Sequence, residues 1–330
     1  MNTFDYLVAE DFDAAVAEYA AGEAALKAGG IDLLDLMKER IATPSTVLSI
    51  DSLDELRYIR EEPDGLHVGS LTTLADLGRS ELLAAKFATL HLAAAHAATP
   101  QIRERATLGG NLCQRPRCWY FRNHEFHCLK KGGATCFAVE GENRYHAIIG
   151  GGPCHIVHPS NVAPALVALD GLIVVRSADR QTQQIRAADF FVLPLQSLYA
   201  ENVLKPGQII EEVILPTVPS ESATIELREK QSFDWPIAIA SAARRPAAAG
   251  SHAGWRVCLG AVAPVPWLSQ AAMEVLGDRD ITPELAEAAG EAAAAEGQPM
   301  SENAYKLQLV KVATKRALLA AAGREVPSWN

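Results

Sequence analysis

The stretch from Cys113 to Cys154 shows neither a helical nor an alternating hydrophobic period, yet it holds five of the chain's six cysteines. Aperiodic segments of that length are uncommon inside compact chains, and those that occur are usually functional. This one is rich in Arg, His and Gly, so something other than a hydrophobic core must organise it. In a cytosolic protein such a cysteine cluster is more often metal-binding or catalytic than a disulfide framework.

Cys118, Cys128, Cys136 and Cys154 are separated by nine, seven and seventeen residues. Four thiolates are what a cubane iron–sulfur cluster requires. A structural zinc site normally shows at least one close CxxC pair, and none is present. The spacing also differs from the common ferredoxin patterns, so it favours a metal of some kind without naming it. Cys113 is either a fifth ligand or, the preferred reading, a small buried residue closing TLGGNL. Cys258 sits in the apolar run WRVCLGAVA and reads as core. His124, His127, His146, His155 and His158 crowd the same region. One of them could stand in for a cysteine as ligand, but most read as hydrogen-bonding the loop backbone. His155, beside Cys154, is the best candidate to support a ligand.

Periodicity is clear elsewhere. Phe12, Val16 and Tyr19 recur at helical spacing after Asp11 and Asp13, and KAGGIDLLDLMKE reads as a tight glycine turn opening a helix. The first stretch thus reads helix, turn, helix. A strand is expected at Thr46–Ile50, a strand, glycine and capped helix over Gly65–Leu77, and one helix over Leu82–Ala98. TLGGNL reads as a second strand-to-glycine turn. A helix at Ala163–Leu169 and a strand at Leu172–Arg176 follow. LPTVPSESAT (215–224) is the candidate domain boundary. Beyond it lie two strand segments and two helices, Thr282–Glu296 and Asn303–Ala321.

With 330 residues and 49% hydrophobic content, the chain has core enough for two or three domains. A net charge of -10 disfavours nucleic acid and anionic membrane surfaces as partners. No run approaches the roughly 20 apolar residues that span a bilayer. MNTFDYLVAEDFDAAVAEY lacks a basic leader region, so a soluble chain that starts in the cytoplasm is expected. Export to the periplasm beside a signal-bearing partner stays open.

Two glycine pairs, Gly29-Gly30 and Gly109-Gly110, offer close backbone approach and N–H donors to a phosphate. A helix starting straight afterwards adds its positive end. Each pair alone is more often structural. Neither fits GxGxxG, and no GxxxxGK[ST] occurs, so a bound nucleotide would need another fold. No nucleophile–base or paired-carboxylate arrangement calls for hydrolysis.

KAGGIDLL (27–34), GSLTTLADL (69–77), ATLGGNL (106–112), HPSN (158–161), KQSFDW (230–235), LGAVAPVPW (259–267) and SENAYK (301–306) occur in order. Together they resemble the FAD-binding medium subunit of the xanthine dehydrogenase, or molybdopterin dehydrogenase, family, over essentially the whole chain. The insert CWYFR…C…C…C is similar to that of the flavin subunit of periplasmic aldehyde oxidoreductases and, less closely, of 4-hydroxybenzoyl-CoA reductase. That resemblance implies an α+β fold. A vanillyl-alcohol-oxidase (PCMH-type) FAD domain in two subdomains, 1–60 and 61–217 with the insert at 113–154, would precede a small α+β domain of the CO dehydrogenase flavoprotein C-terminal type at 223–330.

It also implies the cofactors and their residues. Lys27, Ala28, Gly29, Gly30, Ile31, Asp32 and Leu33, with Thr107, Gly109, Gly110 and Asn111, would embrace the FAD diphosphate. Thr72 and Thr73 would lie near the flavin end. Ser160 and Asn161 would reach ribityl or ribose hydroxyls, Asn161 standing where the family usually has Asp. Lys230 would place a positive charge by the ring, favouring reduced, anionic flavin. Cys118, Cys128, Cys136 and Cys154 would ligate one 4Fe-4S cluster. The implied assembly is a heterotrimer: a large molybdopterin-binding subunit oxidises the substrate, and a small subunit with two 2Fe-2S clusters feeds electrons to this FAD. An external acceptor then takes them. Two other readings compete: a stand-alone FAD oxidoreductase with its own substrate site, and a zinc-stapled, non-catalytic scaffold.

Overall fold

The computed structural model describes residues 1–22, 24–215, 218–219, 221–231, 233–246 and 254–326. Pro216, Thr217 and Ser220 of the expected boundary, and Ser232 of KQSFDW, lie outside the described residues.

The chain begins as β1 (Asp5–Val8), α1 (Phe12–Ala20), β2 (Ala24–Lys27), α2 (Ile31–Lys38) and β3 (Thr46–Ser49). The Asp11 carboxylate caps α1 by accepting from Ala14 N at 2.7 Å. β1 and β2 flank β3, both parallel to it. The helix–turn–helix expectation therefore holds for α1 and α2 but misses two strands. Each has four residues without alternation: β1 is exposed throughout and β2 half-buried throughout. A short strand buried equally on both faces carries no period-2 signal.

The second layer is an antiparallel sheet in the order β4-β5-β8-β6-β7. Its strands are β4 (Ile59–Glu62), β5 (Gly65–Gly69), β6 (Leu172–Arg176), β7 (Thr182–Arg186) and β8 (Ile209–Leu215). Between β5 and β6 come α3 (Leu74–Arg79), α4 (Glu81–Lys86), α5 (Ala88–His96), α6 (Pro100–Arg103), α7 (Leu108–Leu112), α8 (Trp119–Arg122) and α9 (Val162–Ala168). α10 (Ala187–Phe190) follows β7. The helix expected over Leu82–Ala98 breaks at Phe87, whose φ of -138° turns its buried ring into the core. TLGGNL is not a strand turn. It forms α7, capped by Thr107, which accepts from Gly110 N at 3.2 Å.

The third layer is the antiparallel sheet β12-β11-β10-β9. Its strands are β9 (Glu221–Leu227), β10 (Ala238–Arg245), β11 (Gly254–Gly260) and β12 (Trp267–Leu268). It packs against α13 (Tyr305–Ala321), which α12 (Pro283–Ala295) and α11 (Gln270–Leu276) support. α9 packs tightly on the same sheet: a Cβ on Gly260 would lie 2.6 Å from Pro164 Cγ. Cys258 is fully buried there, as expected of core.

Residues 113–154 form an irregular wrap with a small core of their own. Phe121 and Cys128 pack with Leu36 of α2, and Phe126 meets Phe137 and Tyr120 edge to face. Its far end is tied to the C-terminal helix region. Asn303 Nδ2 donates to the Asn143 and His146 carbonyls at 3.2 and 3.1 Å. Lys306 Nζ donates to Tyr145 O, His146 O and Ala261 O at 3.1, 3.1 and 2.8 Å. Burial pushes the Lys306 pKa down to about 7.

His158 is buried with its ring edge-on to Phe191 at 4.7 Å, and burial pushes its pKa down to about 3. The unfolded imidazole takes a proton near its ordinary value of about 6.5, whereas the folded one resists until far lower pH. His158 therefore contributes stability above pH 6.5 that is lost as pH falls from there towards 3. Urea midpoints measured at pH 7.5 and pH 4.5 are expected to show this decline, and a His158→Gln variant to show less of it.

Candidate functional site

The turn between β2 and α2 faces the turn that opens α7. A Cβ on Gly29 would lie 1.7 Å from the Arg105 carbonyl oxygen, so only glycine fits where these two backbones meet. Gly30, at φ +80°, adopts the left-handed conformation that starts α2. Leu34 N is the first amide of that helix to reach a helical acceptor, Gly30 O at 3.1 Å. The amides before it stand at the positive end of the helix.

A groove of about 480 Å³ opens between the two turns. Leu26 to Leu33 border it on one side, and Ala106, Thr107, Gly110 and Asn111 on the other. Cys113, Asn161 and Trp235 complete it. The groove brings together Lys27, Ala28, Gly29, Gly30, Ile31, Asp32 and Leu33 with Thr107, Gly110, Asn111 and Asn161. Gly109 and Ser160 lie just behind: Gly109 N donates to Ser70 O at 2.8 Å, and Ser160 Oγ donates to Asn111 Oδ1 at 2.6 Å.

Besides these two, three expected residues do not border it. Thr72 Oγ1 donates to Tyr58 O, and Thr73 Oγ1 caps α3 and donates to Asp76, so both hydroxyls are engaged in local turns. Lys230 is exposed and borders a separate depression with Arg144 and Tyr305.

Asn161 has a specific partner. Its Nδ2 donates to Glu226 Oε1 at 2.8 Å, and Glu226 pairs with Arg228. Burial raises the Glu226 pKa, against the pull of Arg228. An Asp at position 161 would set two carboxylates face to face, whereas the amide supplies the donor that Glu226 needs.

Cys118, Cys128, Cys136 and Cys154 line one cavity, bordered also by Lys130, His146 and His155. Cys113 borders the other groove and is half-buried, and burial pushes its thiol up to about 12. The space between the four cysteines is about 10 Å³, room for a single water. Among the described residues no group of three or more His, Cys, Asp or Glu converges closely enough to hold a metal ion. The expected quartet is thus gathered in one cavity but not arranged as a finished ligand set. Cys136 and Cys154 titrate as a coupled pair, their interaction lowering the Cys136 thiol and raising that of Cys154. Burial raises Cys118 to about 11. His146, not His155, is the histidine whose ring nitrogen reaches a cysteine: Nε2 lies 3.2 Å from Cys118 Sγ.

Arginines that sequence reasoning passed over join the two sites. Asp32 Oδ1 pairs with Arg117 at 3.0 Å and Arg122 at 2.6 Å, while Asp32 Oδ2 accepts from Arg115 N at 2.8 Å. Asp35 takes the other arms of Arg117 and Arg122 at 3.1 and 2.8 Å. Glu201, itself buried, binds Arg115 at 2.9 Å and the buried Lys130 at 2.7 Å. The available signal was RPRCWYFR, three arginines beside a cysteine, set against Asp32 and Asp35 three residues apart on α2.

Residues 2–218 match the model of the FAD binding domain in molybdopterin dehydrogenase, and residues 227–321 match the CO dehydrogenase flavoprotein C-terminal domain. The chain is 33% identical over 315 residues to the aldehyde oxidoreductase FAD-binding subunit PaoB of Escherichia coli (strain K12), covering 94% of this chain and 96% of that one. It is 27% identical over 309 residues to the carbon monoxide dehydrogenase medium chain of Hydrogenophaga pseudoflava, covering 92% and 90%. A structure of carbon monoxide dehydrogenase from H. pseudoflava, lacking the Mo-pyranopterin moiety of its cofactor, superposes with a TM-score of 0.75 at 26% identity over 98% of both chains. Among the described residues no helix is long and apolar enough to cross a membrane. With a glycine-lined groove inside the first matched domain and the second domain following in order, the chain belongs to the FAD-binding molybdopterin dehydrogenase family, whose members here are oxidoreductase FAD subunits.

Proposed function

We propose that this chain is the electron-carrying flavin subunit of a molybdenum hydroxylase. In this reading a large molybdopterin-binding subunit oxidises the substrate, and a small 2Fe-2S subunit relays electrons to FAD held here. An external acceptor then takes them. The observation that carries the reading is the groove where Gly29 meets the Arg105 backbone with no room for a side chain. Two turns in such contact present amides from both sides to one diphosphate. FAD, when bound, supplies the redox chemistry. The chain's own residues hold and orient it: Lys27 to Leu33 and Thr107 to Asn111 at the diphosphate, and Asn161 and Ser160 towards the ribityl end. Thr72, Thr73 and Lys230 act around the ring only if local structure rearranges, since none borders the groove.

The same reading gives the insert a 4Fe-4S cluster on Cys118, Cys128, Cys136 and Cys154. Its support is chemical: four thiols, no carboxylate, one shared cavity, and a cation, Lys130, in the wall to balance thiolate charge. The division into 1–60, 61–217 and 223–330 belongs to this reading, as does residence in the cytoplasm or, with an exported partner, the periplasm.

Three outcomes are expected. Gly29→Ala forces a Cβ into the Arg105 backbone, so the purified variant should keep its far-UV circular dichroism but lose most of its flavin absorbance. Cys128→Ala should lose iron and acid-labile sulfide while retaining FAD; iron content equal to the parent's would exclude the cluster assignment. The purified chain, even flavin-loaded, should oxidise no aldehyde without its partner subunits; turnover by the chain alone, followed with a dye acceptor, would favour a stand-alone oxidoreductase.

A further inference from the structure

Asn161 stands at the start of α9, where an asparagine ordinarily spends its side-chain oxygen on the free amides of its own helix. It makes no such cap here. Ser160 does so instead: its Oγ accepts from Ala163 N at 3.0 Å, while its hydroxyl donates to Asn111 Oδ1 at 2.6 Å. The one proton of Ser160 is therefore committed, and the Asn161 amide is released from the helix.

That amide is held from the third layer. Its Nδ2 donates to Glu226 Oε1 at 2.8 Å. Glu226 lies on β9 with its side chain only 3% exposed, and its other oxygen pairs with Arg228, two residues on. Arg228 Nη2 also donates to the carbonyl of His96, the last residue of α5, at 2.6 Å. The guanidinium is thus fixed between a helix end and the carboxylate. Its charge favours the ionised form of Glu226, which can only accept.

An acceptor decides which branch of the Asn161 amide faces it, and that branch is the nitrogen. The two branches of a planar amide diverge, so the oxygen is turned away from Glu226. Asn161 borders the groove, and among the described residues no protein donor takes its Oδ1. Asn111 is aimed the opposite way. Ser160 donates to the Asn111 oxygen, so there the nitrogen is the branch left over. Two asparagines of one groove therefore differ in polarity, each set by a neighbour that does not border it.

We infer that Glu226 is a positioning residue for the flavin: it turns the Asn161 oxygen towards the groove as the acceptor for a cofactor hydroxyl. The inference rests on the flavin reading above and adds to it a residue from outside the groove. An acceptor at this place selects a hydroxyl donor over a phosphate or carbonyl oxygen, which fits a ribityl or ribose hydroxyl and not the diphosphate. The third layer, through β9, thereby takes part in holding the cofactor.

The test uses the full chain, stripped of flavin with a chaotropic salt and titrated with FAD, binding being followed by the change in flavin fluorescence. In Glu226→Gln, Arg228 keeps the carbonyl oxygen and the new amide nitrogen faces Asn161, which reverses the Asn161 amide. FAD affinity is expected to fall about tenfold. Asn161→Asp sets two carboxylates face to face and is expected to lose at least as much. The double variant, Asn161→Asp with Glu226→Gln, again sets one donor against one acceptor and leaves a carboxylate oxygen for the groove. Its affinity is expected to return to within about threefold of the parent's, whereas independent losses would add. Parental affinity in Glu226→Gln, or a double variant that binds FAD no better than the single ones, overturns the inference. If Asn161→Asp does not fold, Glu226→Gln, which brings no like charges together, still decides. A parent that takes up no FAD defeats the flavin reading itself; parental uptake with either overturning result defeats only the role of Glu226.

Discussion

Asp32 holds this molecule's two unusual features in register. It lies in the first turn of α2, just after the glycines that border the groove, and its carboxylate takes Arg117, Arg122 and the Arg115 amide from the cysteine insert. A carboxylate at a helix N-terminus is already favoured by the local dipole. Here it is also mostly buried, and so are Arg117 and Arg122. Charge-assisted pairs of this kind are strong when both sides are satisfied, and costly when one side is removed. The insert has little regular structure, so this junction and the Phe121 core against Leu36 set the position of its α2 side.

The second junction, Lys130–Glu201–Arg115, ties the cysteine cavity to the groove from the other side. One carboxylate shared by two cations leaves a net positive charge beside the thiols. Lys130 pulls the Cys154 thiol down, but its coupling to Cys136 and its burial outweigh that pull. The two sites are thus coupled mechanically, by shared arginines, and electrostatically.

Much of the architecture was legible because it is periodic. Helices α1, α2 and α9 and strands β3, β5 and β6 follow from apolar spacing and capping residues, and Cys258 from its apolar neighbours. What was not legible has physical causes. β1 and β2 are too short and too uniformly buried or exposed to alternate. TLGGNL holds two glycines yet is helical, because the Thr107 cap and tertiary contact with Ser70 outweigh glycine's poor propensity. At the site, the glycine turns and the four cysteines could be singled out by residue type. Thr72 and Thr73 could not be told from cofactor contacts, since a helix cap and a ligand donor look alike in sequence. Asn161 stands where the resemblance led to an expectation of Asp, and Glu226, brought close by the third layer, accounts for the amide. The partners of Asp32 and Glu201 lie more than seventy positions away, beyond any local pattern.

The Lys306 and Asn303 contacts set an order of events during synthesis. Residues 143–147 of the insert take their backbone partners from side chains some 160 positions downstream. A nascent chain leaves the ribosome from its N-terminus. The glycine groove's two turns and all four cysteines therefore emerge well before the lysine that secures the far end of the loop. Until Asn303 and Lys306 have emerged, the carbonyls of residues 143 to 147 lack those partners, so the far end of the loop closes late in folding.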